Sequence, residues 1–507
     1  MKYFSYVKHK QFTHALAALS PRSRYATAKL RWYAARLGLY HTVLQYTPWT
    51  PVKTRRHQVV TAIASIKRQT LTDESAKSCI RPILYNKKYR QFHNEFIKDI
   101  ISYYPQEVLK FLEVNSEYLA NSYYQGLYFA LLHEYCHSSF DLDSRLDNFL
   151  VDRSESDYAD KKCLYNNITL NHTLSKLTNL NQIFSHHQLA NIDLINDQYS
   201  FTVTNLKAAA TLIQQQKNKQ KYESVAQQQK VTVVVTAYNA NATIDSCINS
   251  LLQQTWSNLE VIVIDDASTD DTLTHLQHLS KRHAALKIIA LPQNVGTFAA
   301  KSIGAQYATG EFLTCQDSDD WAHPQKIAEQ VQPLIDNPNL IATTSYWLRL
   351  DHKGQYYVRQ IYPFMRQNPA SPMFRLQAVN QRMGLWHIVR TGADSEFYER
   401  LKLIYGNERI GVIKKPLTIA SHRPNSLMTS EEFGIYNHTA ALARLDYWEA
   451  WRLWHIDMLY KKNCPFMPTV QQQADATQAV FIGIPDSIKV NKLNLQQSVV
   501  TPKVLNI

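Results

Sequence analysis

The sequence predicts an all-α region followed by an α/β domain built on a mainly parallel sheet. Glycine gives the first indication, since Gly38 and Gly126 alone precede residue 230 and the other ten glycines follow it. Because glycine supplies the tight turns of α/β folds, the two parts of the chain should differ in fold class. The other two indications are strand-like runs that alternate with helical stretches, and polar side chains at the ends of those runs.

In the N-terminal part, apolar residues recur at three- and four-residue steps. Examples are EFIKDIISYYPQEVLKFLEV (95–114) and EYLANSYYQGLYFALLHEYC (117–136), and this spacing predicts short helices. RWYAARLGLY (31–40) partly matches a tetratricopeptide-like repeat, and an irregular bundle is an equal alternative. We assign residues 1–213 to an all-helical domain and the polar, glutamine-rich residues 214–230 to a linker.

After residue 230 the pattern changes to continuous runs rich in β-branched and aliphatic residues. Such runs are typical of strands that are buried on both faces of a parallel sheet. The clearest runs are VTVVVTAY (231–238), LEVIVIDD (259–266), LKIIALP (286–292) and EFLTCQD (311–317). Helical stretches separate them, as expected for βαβ units in a doubly wound sheet. We assign residues 231–432 to this domain.

Residues 433–507 form a C-terminal segment with an amphipathic, tryptophan-rich stretch at 439–460. We expect this stretch to form a helix whose apolar face packs on the preceding domain. The alternative is that this face contacts a lipid surface. The tail that follows has strand-like pieces that the sequence alone does not place.

The chain of 507 residues carries a diffuse formal net charge of +13, without a run of five or more Lys or Arg. This disfavours nucleic acid as a partner and favours a phosphate-bearing substrate or weak attachment to an anionic membrane. Six cysteines are scattered singly, as is typical of a reducing compartment. Because no apolar stretch reaches about 18 residues, we expect a cytoplasmic protein, free or peripheral at the inner face of the cell membrane.

Carboxylates, an aromatic ring and a glycine turn stand at the ends of the strand-like runs. Open α/β sheets bind ligands beyond the carboxyl ends of their strands, so these groups should meet at one edge. DSDD (317–320) lacks the alternating ligands and central glycine of an EF-hand, and TAYNANAT (236–243) lacks the glycines of a dinucleotide site. DDAST (265–269) alone would indicate a helix N-cap, whereas the convergence of all these groups predicts a polar ligand with a divalent cation.

Three segments together resemble the family-2 glycosyltransferases, which have the nucleotide-sugar GT-A fold. They are VTVVVTAYNANATIDSCINSLLQQTWSNLEVIVIDDASTDDT (231–272), QNVGTFAAKSIGAQYATGEFLTCQDSDDWAHPQKI (293–327) and GADSEFYERL (392–401). With its helical N-terminal region, the chain is also similar to bacterial surface-polysaccharide glycosyltransferases that carry helical repeats. The resemblance implies a mixed, mainly parallel sheet with helices on both faces, a UDP-sugar donor, a glycan or lipid-linked glycan acceptor, and Mn²⁺ or Mg²⁺ as cofactor.

The resemblance also implies which residues bind the donor. Thr236 and Tyr238 would lie beside the uracil ring, and Asp266 would accept a hydrogen bond from the base N–H. Asp317 would hold the ribose hydroxyls. Lys301 stands where relatives often have an arginine, so it would keep a positive charge near the phosphates without the bidentate geometry of arginine.

For the cation, the resemblance implies Asp319 as a ligand, because hard divalent cations prefer oxygen. Asp320 would support this cluster. His422, in SHRPNSLM, occupies a position that some relatives use near the metal or the diphosphate. A single histidine is more often structural, and this alternative stays open for His422.

Asp394 is the implied general base, which would deprotonate the acceptor hydroxyl in an inverting single displacement. The residue before it is Ala393, where the family often has glutamate. Glu396 and Arg400 would support the base. Since they are four residues apart on a predicted helix, an ordinary surface ion pair is the alternative.

The expected activity is transfer of one sugar, or a short repeat, in the biosynthesis of bacterial capsule, lipopolysaccharide or another surface polysaccharide. A processive synthase is disfavoured, because the chain has neither the Q-x-x-R-W motif nor membrane spans. The rival hypothesis is a non-catalytic helical scaffold with a degenerate glycosyltransferase domain. In either case the helical region is a candidate for docking to a membrane or a protein.

Overall fold

The computed structural model describes residues 11–21, 23–46, 54–136, 146, 149, 157–212, 229–475 and 482–505. Within these ranges a helical region precedes an α/β domain, so the predicted fold class is confirmed. The predicted linker at 214–230 lies outside the described residues except for its last two positions. The predicted domain limits stay predictions.

The N-terminal region consists of short helices followed by a small antiparallel hairpin. The helices are α1 (Phe12–Ala17), α2 (Ala28–Arg36), α3 (Tyr40–Tyr46), α4 (Arg55–Lys67), α5 (Asp73–Tyr85), α6 (His93–Ile100), α7 (Pro105–Val114), α8 (Ser122–Tyr135), α9 (Tyr158–Thr169) and α10 (Thr173–His186), and the hairpin strands are β1 (Ile192–Leu194) and β2 (Leu206–Ala208). Threonine side chains fix the starts of α2, α4 and α5. Thr27, Thr54 and Thr72 each accept a hydrogen bond from the backbone N–H three residues later.

One mixed sheet forms the centre of the α/β domain. Its strands are β3 (Val231–Ala237), β4 (Leu259–Asp265), β5 (Leu286–Ala290), β6 (Phe312–Asp317), β7 (Trp321–Ala322), β8 (Ala342–Asp351), β9 (Arg366–Gln367), β10 (Met373–Arg375), β11 (Ile410–His422) and β12 (Lys503–Leu505). Their order is β12-β5-β4-β3-β6-β10-β8-β11-β7, with β9 paired to β8. The central strands β5, β4, β3 and β6 run parallel, as predicted, and antiparallel pairs occur towards both edges.

Helices cover both faces of this sheet. They are α11 (Ile244–Leu252), α12 (Thr272–Ser280), α13 (Thr297–Gln306), α14 (Lys326–Asp336), α15 (Leu376–Met383), α16 (Ala393–Tyr405), α17 (His438–Tyr460), α18 (Val470–Asp475) and α19 (Lys492–Val500). Val233 of β3 packs in a core with residues of α11, α12 and α14, whereas Val234 packs in a separate core with residues of α13, α15, α16 and α17. Adjacent side chains of a strand point to opposite faces, which explains why β3 is apolar throughout.

The strand order changes direction at β3. From β3 the chain adds β4 and β5 on one side and then returns to place β6 on the other. In register, Thr236 of β3 lies beside Asp317 of β6, and Ala237 lies beside Asp265 of β4. Open sheets bind ligands at such a switch point, so this geometry brings the predicted site residues to one crevice.

The helical region shares an apolar core with the far edge of the sheet. Phe96 of α6, Leu127 of α8 and Phe184 of α10 belong to the same buried cluster as Leu348 of β8 and Ile419 of β11. Trp321 of β7, which follows the acidic DSDD segment, lies in this cluster as well. The region is therefore packed directly on the α/β domain along β8 and β11.

The two glycines of the N-terminal part both lie at contacts with later elements. A Cβ on Gly126 of α8 would stand 2.4 Å from the buried ring of Tyr362, and one on Gly38 would stand 2.6 Å from the indole nitrogen of Trp448 in α17. Helix α17 also packs on α16, and the tail strand β12 pairs with β5. Among the described residues, no helix combines the length and the apolar character that crossing a bilayer requires.

Gly126→Ala should lower the free energy of unfolding by about 1–3 kcal/mol, because the new methyl group overlaps the Tyr362 ring in a packed core. The gain of roughly 0.5–1 kcal/mol that alanine has over glycine in a helix interior offsets only part of this loss. Gly483→Ala is the matched control, since its Cβ would meet its nearest neighbour at 3.8 Å. Urea denaturation followed by circular dichroism measures both variants, and equal stability of the two would contradict the tight contact.

Candidate active site

The end of β3 presents an exposed aromatic ring beside a buried hydroxyl. Tyr238 is 50% exposed, whereas Thr236 is buried and its hydroxyl shares a hydrogen bond of 2.8 Å with Thr297 at the start of α13. Asn239 has a left-handed φ of 48° and accepts a hydrogen bond of 2.8 Å from the backbone N–H of Thr269. These bonds hold the end of β3 against the loop after β4 and leave one face of Tyr238 open for stacking.

Asp266 is buried and organises the turn before α13. Its carboxylate accepts hydrogen bonds from the backbone N–H groups of Val295 (2.8 Å) and Gly296 (2.7 Å) and from the amide of Asn294 (3.0 Å). Burial raises the pKa of Asp266 to about 7, against the effect of these donors. Since a carboxylate has about four acceptor positions, one position is left for a ligand N–H.

Arg390 completes this corner, and the sequence did not indicate it. Its guanidinium donates to the side-chain oxygen of Asn294 and, at 3.3 Å, to the backbone oxygen of the same residue. A Cβ on Gly296 would stand 3.1 Å from the Arg390 side chain, so glycine permits this close approach. The neighbouring Asp265 is also buried, and one of its carboxylate oxygens has no hydrogen-bond partner.

Lys301 of α13 forms an ion pair with Asp317 at the end of β6. The Nζ–Oδ1 distance is 3.0 Å, with the lysine side chain 3% exposed and the aspartate side chain 41% exposed. Burial alone would lower the pKa of Lys301, but Asp317 holds it above its ordinary value. Lys301 was expected near the donor phosphates, whereas the structure shows it beneath Asp317, where it holds that carboxylate at the crevice.

The other two carboxylates of DSDD also face cations. Asp319 accepts a hydrogen bond of 2.8 Å from Nε of Arg423, a residue that the sequence did not indicate. Asp320 is buried and accepts a hydrogen bond of 3.1 Å from the backbone N–H of Ser421. It also lies close enough to the buried Lys326 to influence the pKa of that amine. Burial raises the pKa of Asp319, and the positive charge of Arg423 opposes this effect. Burial also raises the pKa of Asp320 well above its ordinary value.

Lys326 lies in a polar network beneath the acidic segment. Its Nζ donates a hydrogen bond of 2.8 Å to Oγ of Ser371, which in turn donates to the backbone oxygen of Cys315 in β6 at 2.6 Å. Burial lowers the pKa of Lys326 to about 8, against the opposing effects of Cys315 and Asp320. A buried amine at this position offsets part of the negative charge above it.

His422 ends β11 immediately before Arg423. Its ring stacks on Tyr357 with a centroid separation of 3.6 Å and an interplanar angle of 6°, and burial lowers its pKa. Over the part of the chain that the structure describes, no group of three or more His, Cys, Asp or Glu side chains is arranged to hold a metal alone. Metal ligation by His422 stays a prediction.

Asp394 lies in the first turn of α16, after Gly392 with its left-handed φ of 86°. Its Oδ1 accepts a hydrogen bond of 2.8 Å from the backbone N–H of Ser395. The helix N-terminus favours a negative charge at this position. Asp394 is also close enough to influence the charges of Lys301 and of Arg444 in α17, so it lies near the Lys301–Asp317 pair. Burial lowers the pKa of Arg444 to about 10, and the charge of Asp394 opposes this effect.

Glu396 and Arg400 do form an ion pair, but it is fully buried, so the expectation of an ordinary surface pair was wrong. The Nε–Oε1 distance is 2.7 Å, and His455 of α17 adds a contact of 3.0 Å to the same carboxylate. Burial would raise the pKa of Glu396, but Arg400 and His455 bring it down to about 2. Arg400 also donates to the backbone oxygens of Met383, the last residue of α15, and of Leu385, so the pair anchors α16, which carries Asp394.

Comparison with known proteins shows what the α/β domain is similar to. Residues 232–393 match the family described as Glycosyl transferase family 2. An uncharacterized glycosyltransferase of Haemophilus influenzae is 42% identical over 116 residues, which are 23% of this chain and 36% of that protein. Glycosyltransferase GlyA of Streptococcus pneumoniae is 28% identical over 128 residues, which are 25% of this chain and 18% of that protein.

Among solved structures, S. aureus TarS in complex with UDP-GlcNAc is 22% identical and covers 45% of this chain and 72% of that chain, with a TM-score of 0.34. The mannosyltransferase PcManGT from Pyrobaculum calidifontis, in complex with GDP-Man and Mn²⁺, is 17% identical and covers 53% of this chain and 83% of that chain, with a TM-score of 0.32. The chain spans about a third or less of the length of the two curated relatives named above.

Glu396→Gln should lower the free energy of unfolding by about 3–5 kcal/mol, because it leaves the buried Arg400 without its carboxylate. Glu432→Gln, at an exposed position, should change it by less than about 0.5 kcal/mol. Since the folded-state pKa of Glu396 is about 2 against 4.5 for the free side chain, the advantage of the wild type is complete above pH 4.5 and shrinks towards pH 2. Urea denaturation at several pH values measures this difference, and a pH-independent difference would contradict the assignment.

Proposed function

Since residues 232–393 belong to glycosyl transferase family 2, we propose that this chain transfers a sugar from a UDP-sugar to a glycan acceptor. One observation carries the proposal. The exposed ring of Tyr238, the buried Asp266 and the half-exposed Asp317 lie at the ends of adjacent parallel strands, and Asp394 lies close to the lysine that holds Asp317. This is the arrangement that a nucleotide-sugar donor and a reacting hydroxyl require.

The donor base would stack on Tyr238, with Thr236 beside it. The one acceptor position left on Asp266 would take the imide N–H of uracil, a donor that cytosine lacks. Asp317, held from below by Lys301, would accept hydrogen bonds from the ribose hydroxyls. Because Lys301 is buried, we propose that it positions Asp317 and bears no direct phosphate contact.

The residues present fit Mn²⁺ or Mg²⁺. Such ions are often held by one or two carboxylates together with substrate phosphates, and Asp319, with Asp317 beside it, offers those carboxylates. Asp320 would support them from beneath, and His422 stays a weaker candidate ligand. When bound, the cation offsets the negative charge that develops on the leaving diphosphate.

In the transfer step, Asp394 would take the proton of the acceptor hydroxyl. The acceptor oxygen forms a bond to the anomeric carbon while the bond from that carbon to the diphosphate oxygen breaks, so UDP leaves and the anomeric configuration inverts. Asp394 lies in the first turn of α16, where the helix dipole is positive. The buried Glu396–Arg400 pair would act on this step only by positioning α16.

We propose the biosynthesis of a bacterial capsule, lipopolysaccharide or other surface polysaccharide as the setting. The acceptor would be a glycan or a lipid-linked glycan, and the reaction would take place in the cytoplasm or at the inner face of the cell membrane. Similar proteins from Haemophilus influenzae and Streptococcus pneumoniae support a bacterial setting, and the net charge of +13 suits an anionic surface. Nucleic acid is not a proposed partner.

Asp394→Asn should reduce sugar transfer by about 10²–10⁴-fold, because it removes the proton acceptor, while UDP binding stays unchanged. Release of UDP from a panel of UDP-sugars, measured with Mn²⁺ and a panel of acceptors, tests this expectation. Asp336→Asn, an exposed exchange of the same type, serves as the control. Near wild-type transfer by Asp394→Asn would show that another group is the base.

Asp319→Ala should weaken UDP binding in Mn²⁺ by at least about tenfold and leave binding in EDTA unchanged, since it removes an oxygen ligand of the cation. Isothermal titration with and without Mn²⁺ measures both quantities. If this variant binds UDP as well as the wild type, and the wild type releases no UDP from any donor, the rival hypothesis of a non-catalytic scaffold with a degenerate domain holds instead.

A further inference from the structure

A cleft of about 320 Å³ lies between the helical region and the α/β domain, outside the donor site. Tyr103, after α6, and Tyr135, at the end of α8, line it from the helical side. Tyr357 and Arg359, after β8, line it from the α/β side, and Tyr436 comes from the loop between β11 and α17. The size lies within the usual range for small-molecule sites.

The lining of this cleft combines aromatic rings with hydrogen-bonding groups. Five tyrosines line it, and a tyrosine side chain has an apolar face and a hydroxyl at its edge. Arg359 donates to the hydroxyl of Tyr103 at 3.4 Å, so the two walls meet at one end. A sugar ring has apolar C–H faces and a rim of hydroxyls, and such a lining complements both. A purely apolar partner would leave these polar groups without compensation.

The α/β wall of the cleft is held firmly by the helical region. Asn167 of α9 exchanges two hydrogen bonds of 2.7 Å with the backbone N–H and oxygen of Tyr356. Asn166 donates to the backbone oxygen of Gly354 at 3.0 Å, and Lys176 of α10 donates to that of Lys353 at 2.9 Å. The segment that carries Tyr357 is thus fixed before any ligand binds, which reduces the ordering cost of binding.

Two series of contacts connect the lining of the cleft to the candidate active site. Tyr357 stacks on His422, and the next residue, Arg423, binds Asp319. Tyr436, whose hydroxyl bonds that of Tyr357, belongs to a loop held by Arg444.

Arg444 donates hydrogen bonds of 2.7 Å to the backbone oxygens of Leu427 and Phe433 in this loop. The same guanidinium is close enough to Asp394 to be influenced by its charge. A chain bound in the cleft would therefore lead towards the carboxylate that we assign as the base.

We propose that this cleft binds the glycan acceptor, with the helical region as one of its walls. The inference rests on the proposed function and extends it, because it assigns the helical region a role in holding the acceptor. Sugar units of the growing chain stack on the tyrosines, and the terminal hydroxyl extends towards Asp394.

The experiment uses the full chain and three trisaccharides as probes: chitotriose, maltotriose and trigalacturonic acid. Saturation-transfer NMR and titration measure their binding to the wild type, to Tyr436→Ala and to Tyr103→Leu, one variant for each wall. Tyr436 is 66% exposed, so Tyr199→Ala, at a tyrosine 61% exposed and outside the cleft lining, is the matched control. UDP affinity of each sample shows whether the donor site is intact.

We expect at least one trisaccharide to bind the wild type and Tyr199→Ala equally, and to bind each cleft variant about three- to tenfold more weakly. If the cleft variants bind the trisaccharides as well as the wild type does, the proposal is overturned. If no probe binds any sample, the proposal is also overturned, and a protein segment becomes the favoured occupant of the cleft. Failure of the proposed function has a different signature, namely that the wild type releases no UDP from any UDP-sugar even when saccharides bind.

Discussion

The candidate site depends on the positive charges that three separate side chains place around three neighbouring carboxylates. Adjacent carboxylates repel one another strongly where burial removes water, so such a cluster persists only when opposite charges compensate it. Asp317 forms an ion pair with Lys301, and Asp319 forms one with Arg423. Asp320 makes no ion pair in the described residues, but it lies close enough to the buried Lys326 to influence the pKa of that amine. The exposed fraction decreases from Asp317 to Asp320, and the most exposed carboxylate remains free enough to meet a ligand.

The three cations come from different elements, so the acidic cluster depends on the assembled sheet. Lys301 and Lys326 lie on helices of opposite faces, α13 and α14, and Arg423 follows β11. Strand β11 in turn contributes Leu417 and Ile419 to the core that it shares with the helical region. The helical region therefore supports the strand that carries the partner of Asp319. This structural role of the helical region does not depend on which ligand the region binds.

Much of the fold was predictable, because strand burial leaves a continuous apolar run and each parallel strand ends in a polar segment. Thr236 and Asp317 could be placed at the same edge of the sheet from pattern alone, whereas their position side by side follows from the pairing of β3 with β6. Arg423 could not, since it lies 104 residues from Asp319 in sequence and meets it only through the register of β11. Glu396 and Arg400 were correctly paired from their spacing, but their burial depends on the packing of α17, which periodicity does not specify.

The segment between β11 and α17 connects the two halves of the proposed reaction. At its start, Arg423 is bonded to Asp319 in the acidic cluster, and near its end Tyr436 is bonded to Tyr357 in the cleft. Between these points, Thr429 donates to the backbone oxygen of Arg423 at 2.7 Å, and Arg444 binds two further carbonyl groups. These contacts fix the segment along its length, and the ion pair with Asp319 holds the side chain of Arg423. The proposed donor site and the proposed acceptor cleft thus share one continuous stretch of backbone.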